Sequence, residues 1–220
     1  FGLELTMAYL IADTETASLN GGVVEVAWMW VDKDLNILDE QCHRVNPERK
    51  IELEARAIHG ISDEDVANCP TLKQVCAGFT RPVDGIGHNI SFDERMLRGA
   101  ISFKRTLCTL EVARQYVKDT TNSKLETLQK ELGLPVRTSH SALGDIHTCR
   151  DLLLYVLPKT GVDLETLFER AEQPRMLHTM PFGKHEGKPM LAVPEGYRNW
   201  LLTQKIDKNL LYTLTKLKGL

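Results

Sequence analysis

The chain has 220 residues, 42% of them apolar and 26% charged, with a net charge of −3. That is the mix of a globular protein, and it excludes a disordered chain, a collagen-like one and a coiled-coil rod. No apolar run reaches the roughly 18 residues that cross a bilayer, and no signal-like stretch opens the chain, so the expectation is a cytoplasmic protein with no membrane partner.

In chain order, residues 1–6 precede Met7 and are read as an added leader outside the fold. Residues 8–12 form a short apolar run ending in acidic residues, the pattern of a buried strand. Asn20-Gly21-Gly22 is a turn, 23–31 a β-branched and aromatic strand, Asp32-Lys33-Asp34 a second turn, and 35–45 a third strand. Beyond Pro47 the texture turns helical. Helices are expected at 71–79 and 91–100 with a short strand at 83–87 between them, then at 110–117, 125–132, 142–157 and 163–172. Three strands followed by alternating helix and strand predict an α/β fold, a mixed sheet flanked by helices.

Gln173-Pro174 closes the last of these helices, giving one domain over 7–172 and a small module over 174–220. In the module, Gly183-Lys184-His185-Glu186-Gly187 reads as a hairpin loop and 194–205 as a helix carrying Trp200, a small α+β appendage. Residues 174–220 hold eight Lys/Arg against three Asp/Glu, whereas the rest of the chain holds 19 against 27. A basic tail beside an acidic body suggests two modules with different tasks, DNA contact being one use for the tail. The five cysteines are scattered and odd in number, with no Cys-x-x-Cys pair, which argues against a disulfide framework or a zinc ribbon.

Four carboxylates stand where core residues belong. Asp13 ends the first strand and Glu15 follows two residues later, so an extended chain puts both on one face. Asp93 heads an apolar stripe that continues through Met96, Leu97 and Ala100. Asp145 heads another, through Cys149, Leu152, Leu153 and Val156. Burying ionised carboxylates without partners costs several kcal/mol each. No Lys or Arg in the flanking sequence neutralises Asp13 or Glu15. If the four converge, a divalent cation offsets the charge, and all-oxygen ligands point to Mg2+ or Mn2+ rather than zinc. His140 stands five residues before Asp145. On a continuous helix that is about 140° around the axis, so the two share a site only if His140 lies in the approach, with Ser139 or Ser141 as the N-cap. A histidine there has the pKa range of a general base.

These residues resemble a known pattern. Asp13-Thr14-Glu15-Thr16 after a strand, His88-Asn89-Ile90-Ser91-Phe92-Asp93, and His140 with Asp145 are similar to the three exonuclease motifs of the DnaQ-like superfamily, in its DEDDh subclass. The tyrosine subclass would carry Tyr where Ser141 stands. Ala57-Ile58-His59-Gly60-Ile61-Ser62 also resembles a segment of that superfamily. The Gly21-Gly22 turn and the tail with Phe182-Gly183-Lys184, Gly187-Lys188 and Pro194-Glu195-Gly196-Tyr197 resemble its bacterial exonuclease X branch. Ala17-Ser18 departs from the Thr-Gly of many members and leaves the ligands intact.

The resemblance implies an RNase H-like five-stranded mixed sheet and a 3′→5′ exonuclease releasing nucleoside 5′-monophosphates from DNA. It implies two metal ions bridged by Asp13, with Glu15 and Asp145 on one, Asp93 on the other, and His140 deprotonating the attacking water. Thr16, Leu19, Asn20, His88, Asn89 and Phe92 fall at substrate-contacting positions, and homodimers occur in the superfamily. The alternatives in the same class are an RNA-trimming exoribonuclease and a polymerase proofreading subunit, since the motifs do not distinguish sugars. A catalytically inactive nucleic-acid-binding module is the alternative from another class, disfavoured because all five motif residues are present. Glu25, in an apolar strand, reads as a structural hydrogen-bond partner. Lys104, Arg105, Arg114, Lys118 and Lys124 are candidates for the phosphate path, and Lys184, His185 and Lys188 for duplex contact.

Overall fold

A computed structural model describes residues 8–218; the leader expected at 1–6 and the domain start at Met7 lie outside the described residues. Strands β1 (Tyr9–Ser18), β2 (Gly21–Val31) and β3 (Ile37–Arg44) form an antiparallel meander. Three short helices follow: α1 (Leu53–His59), α2 (Asp63–Val66) and α3 (Leu72–Val75). Then come β4 (Val83–Gly87), α4 (Ser91–Met96), β5 (Phe103–Cys108), α5 (Thr109–Tyr116), α6 (Leu125–Glu131), α7 (Ala142–Thr160) and α8 (Leu164–Glu172).

The sheet order is β3-β2-β1-β4-β5, with β4 parallel to both β1 and β5. β1 is therefore central, and its Leu10, Ile11 and Ala12 are fully buried. The sheet is mixed, five-stranded and flanked by helices, the RNase H-like arrangement. The hydrophobic pattern of β1 and β2 dictates the meander: Val23, Val24, Val26, Ala27, Trp28, Met29 and Val31 are all buried, so β2 has apolar cover on both faces. Trp28 packs edge-on against Phe79 and Trp30 stacks on the same ring, both as apolar packing.

Three helices are shorter than their sequence texture suggested, among them the one expected at 194–205, which spans Glu195–Leu201. α4 stops at Met96 because the chain turns through Leu97 to Gly99, whose φ of 83° is left-handed. α3 ends at Val75, ahead of Ala77-Gly78, where the backbone leaves helical hydrogen bonding. β5 carries adjacent basic residues and lacks clean alternation, so no strand was expected there from pattern alone.

The chain divides into two compact units, Phe1–Arg170 and Ala171–Leu220, the division falling within α8 and just ahead of Gln173-Pro174. In the second unit, 3-10 turns at Gly183–His185 and Met190–Ala192 precede α9 (Glu195–Leu201) and α10 (Lys208–Lys218). Met180, Met190, Val193, Leu201, Leu210 and Leu214 form its own core. The hairpin expected around Gly183–Gly187 is present, closed by Met180 N–H to Lys188 O at 2.8 Å and Gly187 N–H to Met180 O at 2.9 Å. Its only β pairing among the described residues is the bridge Thr179–Pro189. α10 was not expected from the sequence. No helix among the described residues is long and apolar enough to cross a membrane.

Candidate active site

β1 presents Asp13 and Glu15 on one face, as alternate residues of an extended strand must. α7 packs against β1 and carries Asp145 in its first turn. One carboxylate oxygen from each of Asp13, Glu15 and Asp145 lies within 4.8 Å of the others. Asp93, in α4, is 2% exposed. Its Oδ1 accepts hydrogen bonds from the Thr14 backbone N–H at 3.0 Å and the Thr14 hydroxyl at 2.8 Å. Those two bonds fix α4 onto β1 beside Asp13, whose strongest charge interaction is with Asp93.

The cluster carries surplus negative charge, only partly offset by Arg44 near Glu15 and His140 near Asp145. Among the described residues, no lysine or arginine forms an ion pair with any of the four. Burial, followed by the charges of Asp93, Asp145, Glu15 and Glu25, holds Asp13 well above the ordinary carboxylate range. Burial, then the charges of Asp145, Glu25 and Asp93, raises Glu15 to about 7. Burial raises Asp93 to about 7 despite the two Thr14 hydrogen bonds, and raises Asp145 to about 6 against the opposing pull of His140. Oxygen donors without nitrogen or sulfur, carrying surplus negative charge, fit a hard divalent cation.

His140 sits where the spacing required, in the turn before α7 and exposed to solvent. Its backbone is left-handed, with φ of 57°, and its N–H is directed to the Asp145 carboxylate. Three tethers hold this turn. Ser141 caps α7, its Oγ accepting from Gly144 N–H at 3.1 Å. Arg137 binds Asp151 of α7 through Nε at 3.1 Å and Nη2 at 3.0 Å. The third involves Gly144, where a Cβ would lie 1.9 Å from the Thr138 carbonyl oxygen. Only glycine lets the approach segment lie this close to the helix. Across the sheet, the buried Glu25 accepts from Ala142 N–H at 2.9 Å and pairs with Arg44 at 3.2 Å. The expected hydrogen-bond role of Glu25 is thus seen, with the start of α7 as its partner.

The other sequence candidates fall in different settings. Leu19 and Asn20 form the exposed β1–β2 turn, with Leu19 77% exposed. Arg95 donates to the Leu19 carbonyl at 3.2 Å and lies over the Phe92 ring at 5.2 Å. Asn89 is exposed with φ of 65°, Phe92 is half-buried and Thr16 is buried. His88 has both its ring nitrogens engaged inside the protein. Nε2 meets Ser123 O at 2.9 Å, which can only accept, and Nδ1 meets Thr109 Oγ1 at 3.0 Å. Burial depresses its pKa to about 4, so the neutral ring donates through Nε2 and accepts through Nδ1. Arg105 bridges Asp84 at 2.6 Å and Glu165 at 2.5 Å.

Two contributors had no role assigned from the sequence. His59 accepts from Ile61 N–H through Nδ1 at 3.0 Å and so donates from Nε2 to Thr16 O at 3.2 Å. The 57–62 segment thereby clamps the backbone just after Glu15. Gly144 is the other, and a helix-opening glycine is the only signal it leaves in the sequence.

Comparison with known proteins bears on this arrangement. Residues 10–153 match the model of the exonuclease family, RNase_T. The chain belongs to that family. Exodeoxyribonuclease 10 of Escherichia coli K12 is 33% identical to this exonuclease over 199 residues, covering 87% of this chain and 89% of that protein. The DNA polymerase III epsilon subunit of Treponema pallidum is 25% identical, covering 69% of this chain and 77% of that one. Among solved structures, exonuclease X in complex with 5′ overhanging duplex DNA superposes with a TM-score of 0.64 at 29% identity. It covers 74% of this chain and 99% of that one. The chain is therefore a nuclease of the DnaQ-like group, with its acidic cluster on the central strand and the helix packed against it.

Proposed function

We propose that this exonuclease is a divalent-metal-dependent 3′→5′ exodeoxyribonuclease, releasing nucleoside 5′-monophosphates from DNA in the cytoplasm. The observation that carries the reading is the convergence of Asp13, Glu15 and Asp145 oxygens within 4.8 Å, with His140 on the turn that opens the helix of Asp145. The DNA-bound exonuclease X neighbour supports DNA as the substrate. Residues 7–172 are the catalytic domain and 174–220 a separate module.

Asp13, Glu15, Asp93 and Asp145 would hold the divalent cations, two ions of Mg2+ or Mn2+. When bound, they neutralise the carboxylates and stabilise charge on the attacking and leaving oxygens of the phosphodiester. His140 takes a proton from the attacking water, whose oxygen forms the new bond to phosphorus. The bond from phosphorus to the 3′ oxygen of the penultimate nucleotide breaks, and that oxygen takes a proton from solvent to leave as the 3′ hydroxyl. Thr14 and Ser141 hold Asp93 and the His140 turn in position through the process. Thr16, Leu19, Asn20, His88, Asn89 and Phe92 line the approach of the terminal nucleotide.

The test uses 5′-labelled single-stranded DNA and RNA of one sequence, distinguished by dye and mixed, with Mg2+ or with EDTA. Stepwise shortening of the DNA from its 3′ end, absent in EDTA and in Asp13→Ala, is the expected result. Early release of the 5′ label would overturn the polarity, and preferential shortening of the RNA would overturn the substrate.

A further inference from the structure

The second compact unit has a polar group that the active site does not use. His185 is 8% exposed, and its Nδ1 is buried with no hydrogen-bond partner among the described residues. A buried unpartnered nitrogen is costly and rare in native folds. Its ring packs edge-on against Tyr197 at 4.7 Å, and Tyr197 lies 5.3 Å from Trp200. Trp200 is 51% exposed on α9. The hairpin loop is held onto this aromatic row: Gly183, with φ of 77°, leaves only 3.1 Å between its would-be Cβ and the Tyr197 hydroxyl. A second left-handed glycine, Gly187, turns the chain back.

Lys184 and Lys188 flank His185 closely enough that, after burial, their charges are what lower its pKa. Neither lysine forms an ion pair among the described residues. The loop therefore holds two exposed ammonium groups without an ion pair on either side of a buried imidazole, with Tyr197 between that ring and the exposed indole. Glu186 stands between the two lysines in the chain without pairing either of them, so both ammonium groups are open to an anion, and the exposed indole at the end of the His185–Tyr197–Trp200 row suits a flat apolar group. A nucleotide strand supplies both, phosphates for the lysines and bases for the indole.

We infer that the face formed by Lys184, Lys188, Tyr197 and Trp200 binds single-stranded DNA, with phosphates on the lysines and an unpaired base stacked on Trp200. A paired base hides its face in the duplex, so stacking on Trp200 selects the unpaired strand. The inference rests on the DNA exonuclease reading for its choice of nucleic acid, but the surface is independent of the acidic cluster.

The experiment measures anisotropy of a labelled 20-nucleotide oligothymidylate against the full chain in EDTA, over a series of salt concentrations. Wild type, Lys184→Ala/Lys188→Ala and Trp200→Ala are compared, each checked for folding by its thermal melt. The lysine pair should lower the salt slope by about 1.4, two single-strand phosphate contacts, and Trp200→Ala should weaken binding roughly 5- to 100-fold. The lysine variant carries the test if Trp200→Ala loosens the unit, because both lysines are exposed and support none of the core. Unchanged affinity and slope in the lysine variant would overturn the inference. So would a lysine effect with a well-folded Trp200→Ala that binds like wild type, which would mean backbone contact without stacking. Magnesium-dependent shortening by the wild type is scored separately: binding without shortening would sink the exonuclease reading and leave this surface standing.

Discussion

Gly144→Ala sets local propensity against tertiary packing, with opposite signs. Alanine in a helix is favoured over glycine by about 1 kcal/mol, so propensity alone expects a more stable protein. The structure expects the reverse. The new Cβ would stand 1.9 Å from Thr138 O and must reach at least 3.0 Å, so one partner has to retreat by more than 1 Å. The helix cannot easily do so, because Ala142 N–H is bound to the buried Glu25 at 2.9 Å. The strain therefore falls on the 138–140 turn, which Arg137 and Ser141 hold to α7 and which carries His140. Overpacking of this kind costs about 1–3 kcal/mol, which outweighs the propensity gain over most of that range. For a unit of this size the melting temperature should drop by several degrees. A displacement of about 1 Å in a catalytic group costs on the order of 100-fold in rate, so kcat should fall by about that factor. The assay is a thermal melt in Mg2+ together with steady-state hydrolysis of a p-nitrophenyl ester of thymidine 5′-monophosphate. A Gly144→Ala protein that melts at or above wild type with wild-type kcat would refute the argument that this glycine positions the His140 turn.

Two further predictions follow from the same geometry. The raised carboxylates favour the folded protein when protonated, so their contribution is present at low pH and is lost as pH rises through about 6 to 7 and above. His59 and His88, lowered by burial, act in the opposite sense, so the cluster is isolated by comparing variants: in EDTA, Asp13→Asn should melt above wild type at pH 8, with the gap narrowing towards pH 5. A gap that is absent at pH 8, or that widens on acidification, would show the cluster is not under repulsive stress. Glu25→Ala leaves the Ala142 N–H without its acceptor and should cost about 1–3 kcal/mol in saturating Mg2+, whereas Glu25→Gln retains an acceptor and should cost less; equal melting temperatures for the two variants would remove the α7 tether from the account.

The chain's local chemistry made much of this site legible. Asp13 and Glu15 share a face because a strand repeats every two residues, and Asp93 and Asp145 head apolar stripes because a helix repeats every 3.6. The order of those motifs, with His140 five residues before Asp145, was enough to indicate a metal-dependent nuclease. Hairpin chemistry likewise located the turns of the meander and of the second unit. What could not be read were the partners of polar groups far apart in the chain. Nothing in the sequence pairs the two ring nitrogens of His88 with Ser123 and Thr109, or Arg105 with Asp84 and Glu165. Glu25 was recognisable as a buried acceptor, but its donor lies 117 residues away. Gly144 gave only a weak helix signal because its constraint is a carbonyl brought near by the 138–140 turn. Periodicity determines which way a side chain points, and so the sequence by itself determined the carboxylate faces. Which groups then meet depends on the packing of the sheet, α4 and α7, and only the tertiary structure decided which polar residues remain available for chemistry.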